Sequence, residues 1–202
     1  MKNLSRIGLL SKCMMIAGAV LILAAAGLFA MYDRQEWEAR ENADKLLLQV
    51  QQQMIDQASP LPVKEQMAEY NLGKAPPLGI LEIETLELQL PILDKWNYQL
   101  LTIAPCRYAG SAEERNLILL GHNYDRHFGA LKTLACGDEM ILRNMDGTVF
   151  CYQVDLVETL ESTQLEELVS SNYDMSIFTC TPGGARRVVV RGNLKTVNGI
   201  KI

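Results

Sequence analysis

Residues 175–192 read MSIFTCTPGGARRVVVRG and contain the pattern that decides the fold. Two apolar runs, Met175 to Thr179 and Arg187 to Arg191, flank the segment Thr181-Pro182-Gly183-Gly184. Proline and paired glycines favour a turn, and short runs rich in valine and isoleucine favour β-strands. The stretch therefore predicts two core strands joined by a turn, with Cys180 at the end of the first strand.

Short apolar runs separated by turn residues continue on both sides of this pair of strands. Asp146-Gly147, flanked by two apolar runs, is typical of a hairpin turn, and Thr163 to Glu166 has the pattern of a capping box that opens a short helix ending near Val169. Several short strands at close spacing favour a closed barrel or a sandwich of about 125 residues, so residues 78–202 are predicted to be mainly β with short helices. The predicted strands are residues 78–83, 87–91, 116–121, 139–143, 148–157, 174–179 and 187–197.

The N-terminal segment has a different composition. Residues 13–32 contain no charged side chain, and 18 of the 20 are apolar. As a helix with about 1.5 Å rise per residue, they span roughly 30 Å, the thickness of the hydrocarbon core of a bilayer. Lys2, Arg6 and Lys12 precede the segment, so the positive-inside rule places the N-terminus in the cytoplasm. A signal peptide cleaved near Ala24 to Ala26 is the alternative, but the apolar run is long for one.

We therefore predict a cytoplasmic leader in residues 1–12, a single transmembrane anchor in residues 13–32 and an extracytoplasmic remainder. Residues 33–77 are predicted to be a helical stalk followed by a linker. The helix covers residues 34–57 and ends before Pro60 and Pro62. Its apolar stripe consists of Ala43, Leu47, Val50 and Met54.

Composition excludes several classes of protein. The 202 residues allow one domain with an appendage, and 49% apolar with 21% charged residues exclude a disordered chain. The net charge is −5, and the +3 of the leader leaves −8 on the remainder, which argues against a nucleic-acid partner. Five cysteines are too few for a disulfide scaffold. A disulfide among Cys106, Cys136 and Cys151 stays open, with ordinary thiols as the preferred interpretation.

Three polar residues lie at the ends of three predicted core strands. His122, one of only two histidines, follows the apolar run Leu117 to Gly121; Cys180 follows a second run, and Arg187 opens a third. A thiolate attacks a carbonyl, an imidazole transfers the proton, and a guanidinium stabilises the oxyanion, so this trio suits acyl transfer. Arg186 competes with Arg187 for the last role, and strand alternation points the two side chains in opposite directions.

Simpler interpretations compete with this one. A single cysteine commonly packs as a small apolar residue, and a histidine or arginine at a strand end commonly faces a turn or solvent. His122, Asp125 and His127 suggest a metal site, but their spacing matches no standard motif. The papain-like order of cysteine before histidine is reversed, the caspase signature is absent, and no hydrolase-elbow, zincin, P-loop or dinucleotide motif occurs.

These residues resemble the signature of the sortases. The resemblance covers roughly residues 78–194, and it implies a closed eight-stranded β-barrel in a membrane-anchored cysteine transpeptidase of Gram-positive bacteria. It rests on Gly121-His122-Asn123, on Thr179-Cys180, on Arg187 four residues before Arg191-Gly192, and on the opening motif Leu78 to Ile83 followed by Leu90-Pro91-Ile92.

The resemblance implies a role for each site residue. Cys180 is the nucleophile, His122 the general acid and base, and Arg187 the group that binds the oxyanion and orients the substrate; Thr179 and Asn123 are substrate-binding residues. The implied reaction cleaves an LPXTG-like sorting signal of a surface protein, forms a thioacyl enzyme and transfers the acyl group to an amine. That amine belongs to a cell wall precursor, such as lipid II or a peptidoglycan stem peptide, or to a pilin lysine. No cofactor or metal is implied, although activation by calcium stays open.

The subclass is less determined. Pilin-assembling members carry an Asp-Pro-aromatic lid before the barrel, whereas Asp94-Lys95-Trp96 follows the first strands and lacks the proline. This difference favours a class B-like or housekeeping role. Two other functions are alternatives: an inactive extracytoplasmic barrel that binds peptides, and a hydrolytic thiol protease on the same scaffold.

Overall fold

The computed structural model describes residues 2–58 and 75–202. The chain divides into two compact units, Met1–Glu38 and Ala39–Ile202. The first helix, α1, covers Lys2–Ala58 and contributes to both units. The predicted linker after it, including Pro60 and Pro62, lies outside the described residues.

The first unit consists of the N-terminal part of α1. One segment of this helix is long and apolar enough to cross a membrane, with a mean hydropathy of 2.4, and none of that segment is buried. Leu23 and Phe29 are among its exposed apolar side chains. The helix thus meets the length and composition that an anchor requires, while the bounds 13–32 and the orientation stay predictions.

The second unit is built on β-strands. Short helices occur at Tyr98–Leu101 (α2) and Leu165–Val169 (α3), and 3₁₀ turns at Glu84–Leu86 and Leu131–Thr133. The strands among residues 75–202 are β1 Pro77–Ile83, β2 Leu88–Leu93, β3 Cys106–Ala109, β4 Leu117–Leu120, β5 Glu139–Asn144, β6 Val149–Glu161, β7 Met175–Cys180, β8 Arg186–Val197 and β9 Ile200–Lys201.

Eight of these strands form a closed barrel. Their order is β6-β5-β1-β2-β3-β4-β7-β8, and β8 pairs with β6 to close it, while β9 adds a short hairpin to β8. The pairs β2–β3 and β4–β7 are parallel, and the other neighbours are antiparallel. The prediction of a closed eight-stranded barrel is confirmed.

All seven predicted strands occur within a few residues of their expected ends. The sequence analysis did not predict β3, α2 or β9, and it ended β6 four residues early. The prediction of a capping box at Thr163 was wrong. Gln164, not Thr163, is the residue before α3, and its side chain caps no backbone group of that helix. Its side chain instead accepts a hydrogen bond from the Glu161 amide and donates one to Glu167.

The part of α1 in the second unit packs against the barrel through one stripe. Ala39, Ala43, Leu46 and Val50 are buried at the spacing i, i+4, i+7 and i+11. The predicted stripe shared Ala43 and Val50, but Leu47 and Met54 are only half-buried, and Leu46 takes the central position. Ala43 belongs to the core cluster that contains Phe128, whereas Leu46 and Val50 belong to the cluster that contains Leu120 and Phe178.

Candidate active site

The turn between β7 and β8 brings Cys180 and Arg187 opposite each other. Cys180 is the last residue of β7, and it pairs with Arg187 in the antiparallel register. Directly opposed residues of an antiparallel pair present their side chains on the same face. Within the turn the Thr181 amide donates to the Arg186 carbonyl (2.9 Å), and the Gly184 amide donates to the Thr181 carbonyl (2.8 Å).

Two glycines allow this turn to close. Gly183 and Gly184 have φ angles of 81° and 75°, in the left-handed region that side chains rarely adopt. The paired glycines of the sequence therefore have a defined structural purpose. They reverse the chain tightly enough for Cys180 and Arg187 to become partners across the hairpin.

The parallel pairing of β4 with β7 brings His122 to the same end of the barrel. Leu120 pairs with Phe178, and the Gly121 amide donates to the Phe178 carbonyl at 3.1 Å. His122 and Cys180 each lie two residues beyond these paired positions in strands that run in the same direction. Both are half-buried. The three residues expected to carry the chemistry thus lie at or next to the ends of neighbouring strands.

The structure distinguishes the two candidate arginines. Arg186 Nε lies 2.8 Å from Glu161 Oε1 in an exposed ion pair between β8 and β6. Arg187 instead lies opposite Cys180, and its Nη1 donates to the Gly184 carbonyl (2.8 Å) and to the Arg186 carbonyl (3.0 Å). These contacts hold the guanidinium beside the turn that follows the thiol, which favours Arg187 for the site.

The loop after β4 holds His122 through its backbone and its ring. The His122 carbonyl accepts from the Phe128 amide (3.0 Å), and the Tyr124 carbonyl accepts from the amides of His127 and Gly129 (2.9 Å each). The rings of His122 and Tyr124 lie 4.7 Å apart between centroids, with 32° between their planes. Backbone turns and an aromatic contact therefore fix the loop around the imidazole.

This loop also fits closely against its own core residue. A Cβ on Gly121 would lie 2.6 Å from the Phe128 ring, closer than side chains approach, so a larger residue is excluded before His122 without rearrangement. Phe128 is fully buried in the barrel core. The backbone next to His122 is therefore packed directly on the core.

Burial sets the protonation of the imidazoles. It lowers the pKa of His122 below its ordinary value of 6.5, so the ring is neutral at pH 7 and able to accept a proton. Burial, and to a smaller extent the nearby His122, lower the pKa of His127 to about 4. His127 has 0% exposure, and neither of its ring nitrogens has a hydrogen-bond partner in the described part of the chain.

The two proposed substrate contacts differ in accessibility. Asn123 is half-buried in the loop directly after His122. Thr179 is only 1% exposed, and its Oγ1 has no hydrogen-bond partner among the described atoms. The Thr179 side chain is therefore buried in this conformation, and a role in substrate binding stays a prediction.

A metal site at the histidines has no support from the geometry. Within residues 2–58 and 75–202, no group of three His, Cys, Asp or Glu side chains is arranged to hold a metal ion. His122 and His127 both contact the Tyr124 ring, and the buried His127 ring lies 5.6 Å from it between centroids.

The other thiols of the second unit are free. Cys106, Cys136 and Cys151 form no disulfide in the described structure. Burial raises the pKa of Cys106 to about 12, so this thiol stays protonated. Cys136 is exposed, and its Sγ donates to the Asp155 carbonyl.

An aromatic cluster includes one residue, Phe178, of the strand that ends at Cys180. Trp96 stacks on Tyr108 at 5.6 Å, and Tyr108 meets Phe178 edge to face at 5.4 Å. The Asp94 side chain forms an ion pair of 2.6 Å with Arg107. The segment Asp94-Lys95-Trp96 is therefore fastened to β3.

Sequence reasoning missed three residues around the site. It treated His127 as a loop residue, and it assigned no role to Tyr124 or Glu161. The burial of His127 had a weak signal in the sequence, since Phe128 beside it is apolar within an otherwise polar loop. No sequence pattern pointed to the Glu161 partner of Arg186, because it depends on the register of β6 with β8.

Comparison with known proteins gives one family. The family described as "Sortase domain" matches residues 81–195, more than half of the chain. No curated protein matches the chain at a significant level.

Among solved structures the chain is similar to many sortases. Sortase C1 from Streptococcus suis is 24% identical with a TM-score of 0.53, and the match covers 70% of this chain and 92% of that one. Sortase D5 from Clostridium perfringens, described as a transpeptidase, is 17% identical with a TM-score of 0.57, covering 78% and 98%. Sortase A from Listeria monocytogenes is 18% identical with a TM-score of 0.54, covering 62% and 90%. These levels of identity establish the shared fold and not the subclass.

Proposed function

The chain belongs to the sortase family, and we propose that it is a membrane-anchored cysteine transpeptidase that cleaves LPXTG-like sorting signals through Cys180. One observation carries the proposal. Cys180 pairs with Arg187 across the β7–β8 hairpin, and His122 follows the parallel strand β4 at the same end of the barrel. A thiol, a guanidinium and an imidazole in this arrangement supply the three functions of acyl transfer.

The reaction proceeds in two balanced steps. The Cys180 thiol gives its proton to His122 as its sulfur attacks the carbonyl carbon of the threonine in the sorting signal. His122 then passes this proton to the leaving glycine amine as the peptide bond breaks. The product is a thioester between Cys180 and the threonine. An incoming amine then attacks this thioester and gives up a proton to His122. The new amide bond forms as the Cys180 sulfur leaves, and the sulfur takes the proton from His122 to become the thiol again.

Arg187 stabilises the oxyanion of both tetrahedral intermediates. Two of its N–H contacts are made to the carbonyls of Gly184 and Arg186, which hold the guanidinium plane at the turn. A guanidinium has five N–H donors, so donors remain for a substrate oxygen. Asn123, next to His122, is proposed to contact the substrate, and Thr179 to support Cys180 from the buried side.

The proposed location follows from the N-terminal helix. Residues 13–32 anchor the chain in the cell membrane, with residues 1–12 in the cytoplasm and the barrel outside. The substrates are sorting-signal proteins at the cell surface. The acceptor is an amine of a wall precursor, such as lipid II or a peptidoglycan stem peptide, or of a pilin lysine.

The test measures transfer rather than cleavage alone. The full-length chain in detergent is incubated with a panel of LPXTG-type peptides, with and without triglycine, and products are identified by mass. We expect the triglycine adduct from the wild type, none from Cys180→Ala, and wild-type yields from Cys136→Ala, which removes a different exposed thiol. Free acid as the only product would indicate a thiol protease, and binding without product would indicate an inactive barrel; either result refutes the proposal.

A further inference from the structure

Three aromatic rings form a ladder from the general base into the core. His122 contacts Tyr124 at 4.7 Å, and Tyr124 contacts His127 at 5.6 Å, both between ring centroids. The exposure falls along the series, from half-buried His122 and Tyr124 to fully buried His127. We refer to His122, Tyr124 and His127 as the aromatic ladder.

The buried end of the ladder is unusual. Both ring nitrogens of His127 lack a hydrogen-bond partner within the part of the chain that the structure describes. The Ala39 backbone lies close enough to raise the pKa of His127 against the larger effect of burial, but it does not meet the geometry of a hydrogen bond with either ring nitrogen. A buried polar group without a partner costs stability, so an apolar ring would be the stable choice for a residue that only fills space.

The backbone turns couple the three rings. The amide of His127 donates to the Tyr124 carbonyl, and the neighbouring Phe128 amide donates to the His122 carbonyl. A shift of the backbone at His127 therefore moves both Tyr124 and His122. Gly129 fixes the loop further, since a Cβ at this position would lie 2.7 Å from the Tyr124 carbonyl oxygen.

We propose that Tyr124 and His127 are positioning residues, which hold the His122 imidazole in the plane required for proton transfer. The inference rests on the proposed role of His122 as general acid and base. The His127 ring supports the Tyr124 ring from the core side, and the Tyr124 ring restricts the rotation of His122. Neither residue touches the reacting atoms.

The proposal predicts a specific kinetic effect. Tyr124→Leu and His127→Leu remove one ring each, and both lower kcat by about tenfold or more, because misplacing a catalytic group by about 1 Å has effects of this size. KM stays within about twofold, since no substrate contact is lost. His127→Phe keeps a ring under Tyr124 and restores kcat to within about threefold of the wild type.

Phe150→Leu is the matched control for loss of a buried ring. Phe150 is buried in the same core cluster as Phe128 but lies on β6, away from the loop. We expect Phe150→Leu to lower Tm as His127→Leu does while leaving kcat unchanged. Equal kcat losses in Phe150→Leu and His127→Leu would mean that the aromatic ladder contributes only general core packing, and would overturn the proposal.

Histidine NMR separates this proposal from the proposed function. The chain has only two histidines, so ¹³C-histidine labelling of the full-length protein in detergent gives two ring resonances, and any His127 variant leaves only that of His122. We expect the His122 resonance to shift in Tyr124→Leu and His127→Leu and to stay in place in Phe150→Leu. An unmoved His122 resonance in both ladder variants overturns the inference. If the wild type makes no transfer product, the proposed function fails, and the resonance still decides whether the ladder positions His122.

Discussion

The acid stability of this protein is predicted to depend on His127. Burial lowers the pKa of this ring from 6.5 to about 4 in the folded chain. The folded state therefore binds the proton more weakly than the unfolded state. The free energy of unfolding is fully retained above pH 6.5, falls as the pH drops from 6.5 towards 4, and levels off below that value.

The magnitude follows from the same two pKa values. At about 1.4 kcal/mol for each pKa unit, the lowering from 6.5 to about 4 corresponds to about 3 kcal/mol in total. Most of it, about 2–3 kcal/mol, is lost between about pH 7.5 and about pH 4.5. The ring has 0% exposure, so solvent does not screen this effect.

Urea unfolding of the full-length chain in detergent, followed by near-UV circular dichroism, measures this loss. His127→Phe cannot titrate, and it should lose about 2–3 kcal/mol less than the wild type between the two pH values. His122 and the carboxylates titrate in both proteins, so the difference isolates His127. Equal losses in wild type and His127→Phe would refute the reasoning, because the ring would then gain its proton without cost.

Three further predictions concern the arginines and the response to metal removal. Arg187→Lys should lower kcat/KM by about a hundredfold, because an ammonium lacks the fork of the guanidinium, whereas Arg186→Lys keeps its exposed pair with Glu161 and should stay within about twofold in the same peptide assay. Arg191 is 3% exposed, forms an ion pair with Glu158 and donates to the Glu167 carbonyl before β7. Arg191→Met should lower the free energy of unfolding by about 3–5 kcal/mol, measured by urea unfolding, because it leaves the Glu158 carboxylate without its partner. Adding Glu158→Gln should recover part of this loss. The proposed chemistry uses side chains alone, so EDTA should leave the transfer rate unchanged, and a loss restored by calcium would contradict this.

The barrel was predictable where its strands contain regular apolar runs. Leu117 to Leu120 and Met175 to Phe178 are buried at every position, so composition alone marked them as core strands. β3 was not visible, because Cys106–Ala109 has only four residues and a shift in register after Arg107. The far end of β6 was missed because three of the four residues from Glu158 to Glu161 are polar, and this end is held by pairing with β8.

The site was predictable to the extent that it lies at strand ends. His122, Cys180 and Arg187 were found because each borders an apolar run, and the register of β4, β7 and β8 then brings those ends together. Tyr124 and His127 lie in a loop without periodicity, and their placement depends on the close contact of Gly121 with Phe128. Loop contacts of this kind depend on tertiary structure and have no signature in a single sequence.

The mass of the enzyme during turnover tests the central claim most directly. The full-length chain is mixed with an LPXTG-type peptide without an amine acceptor, quenched in acid and analysed as the intact protein and as peptides. The account predicts an adduct with the mass of the acyl fragment up to threonine, attached to Cys180, absent from Cys180→Ala and removed when triglycine is added. Transfer without any adduct on Cys180, or an adduct on Cys136 instead, would contradict it.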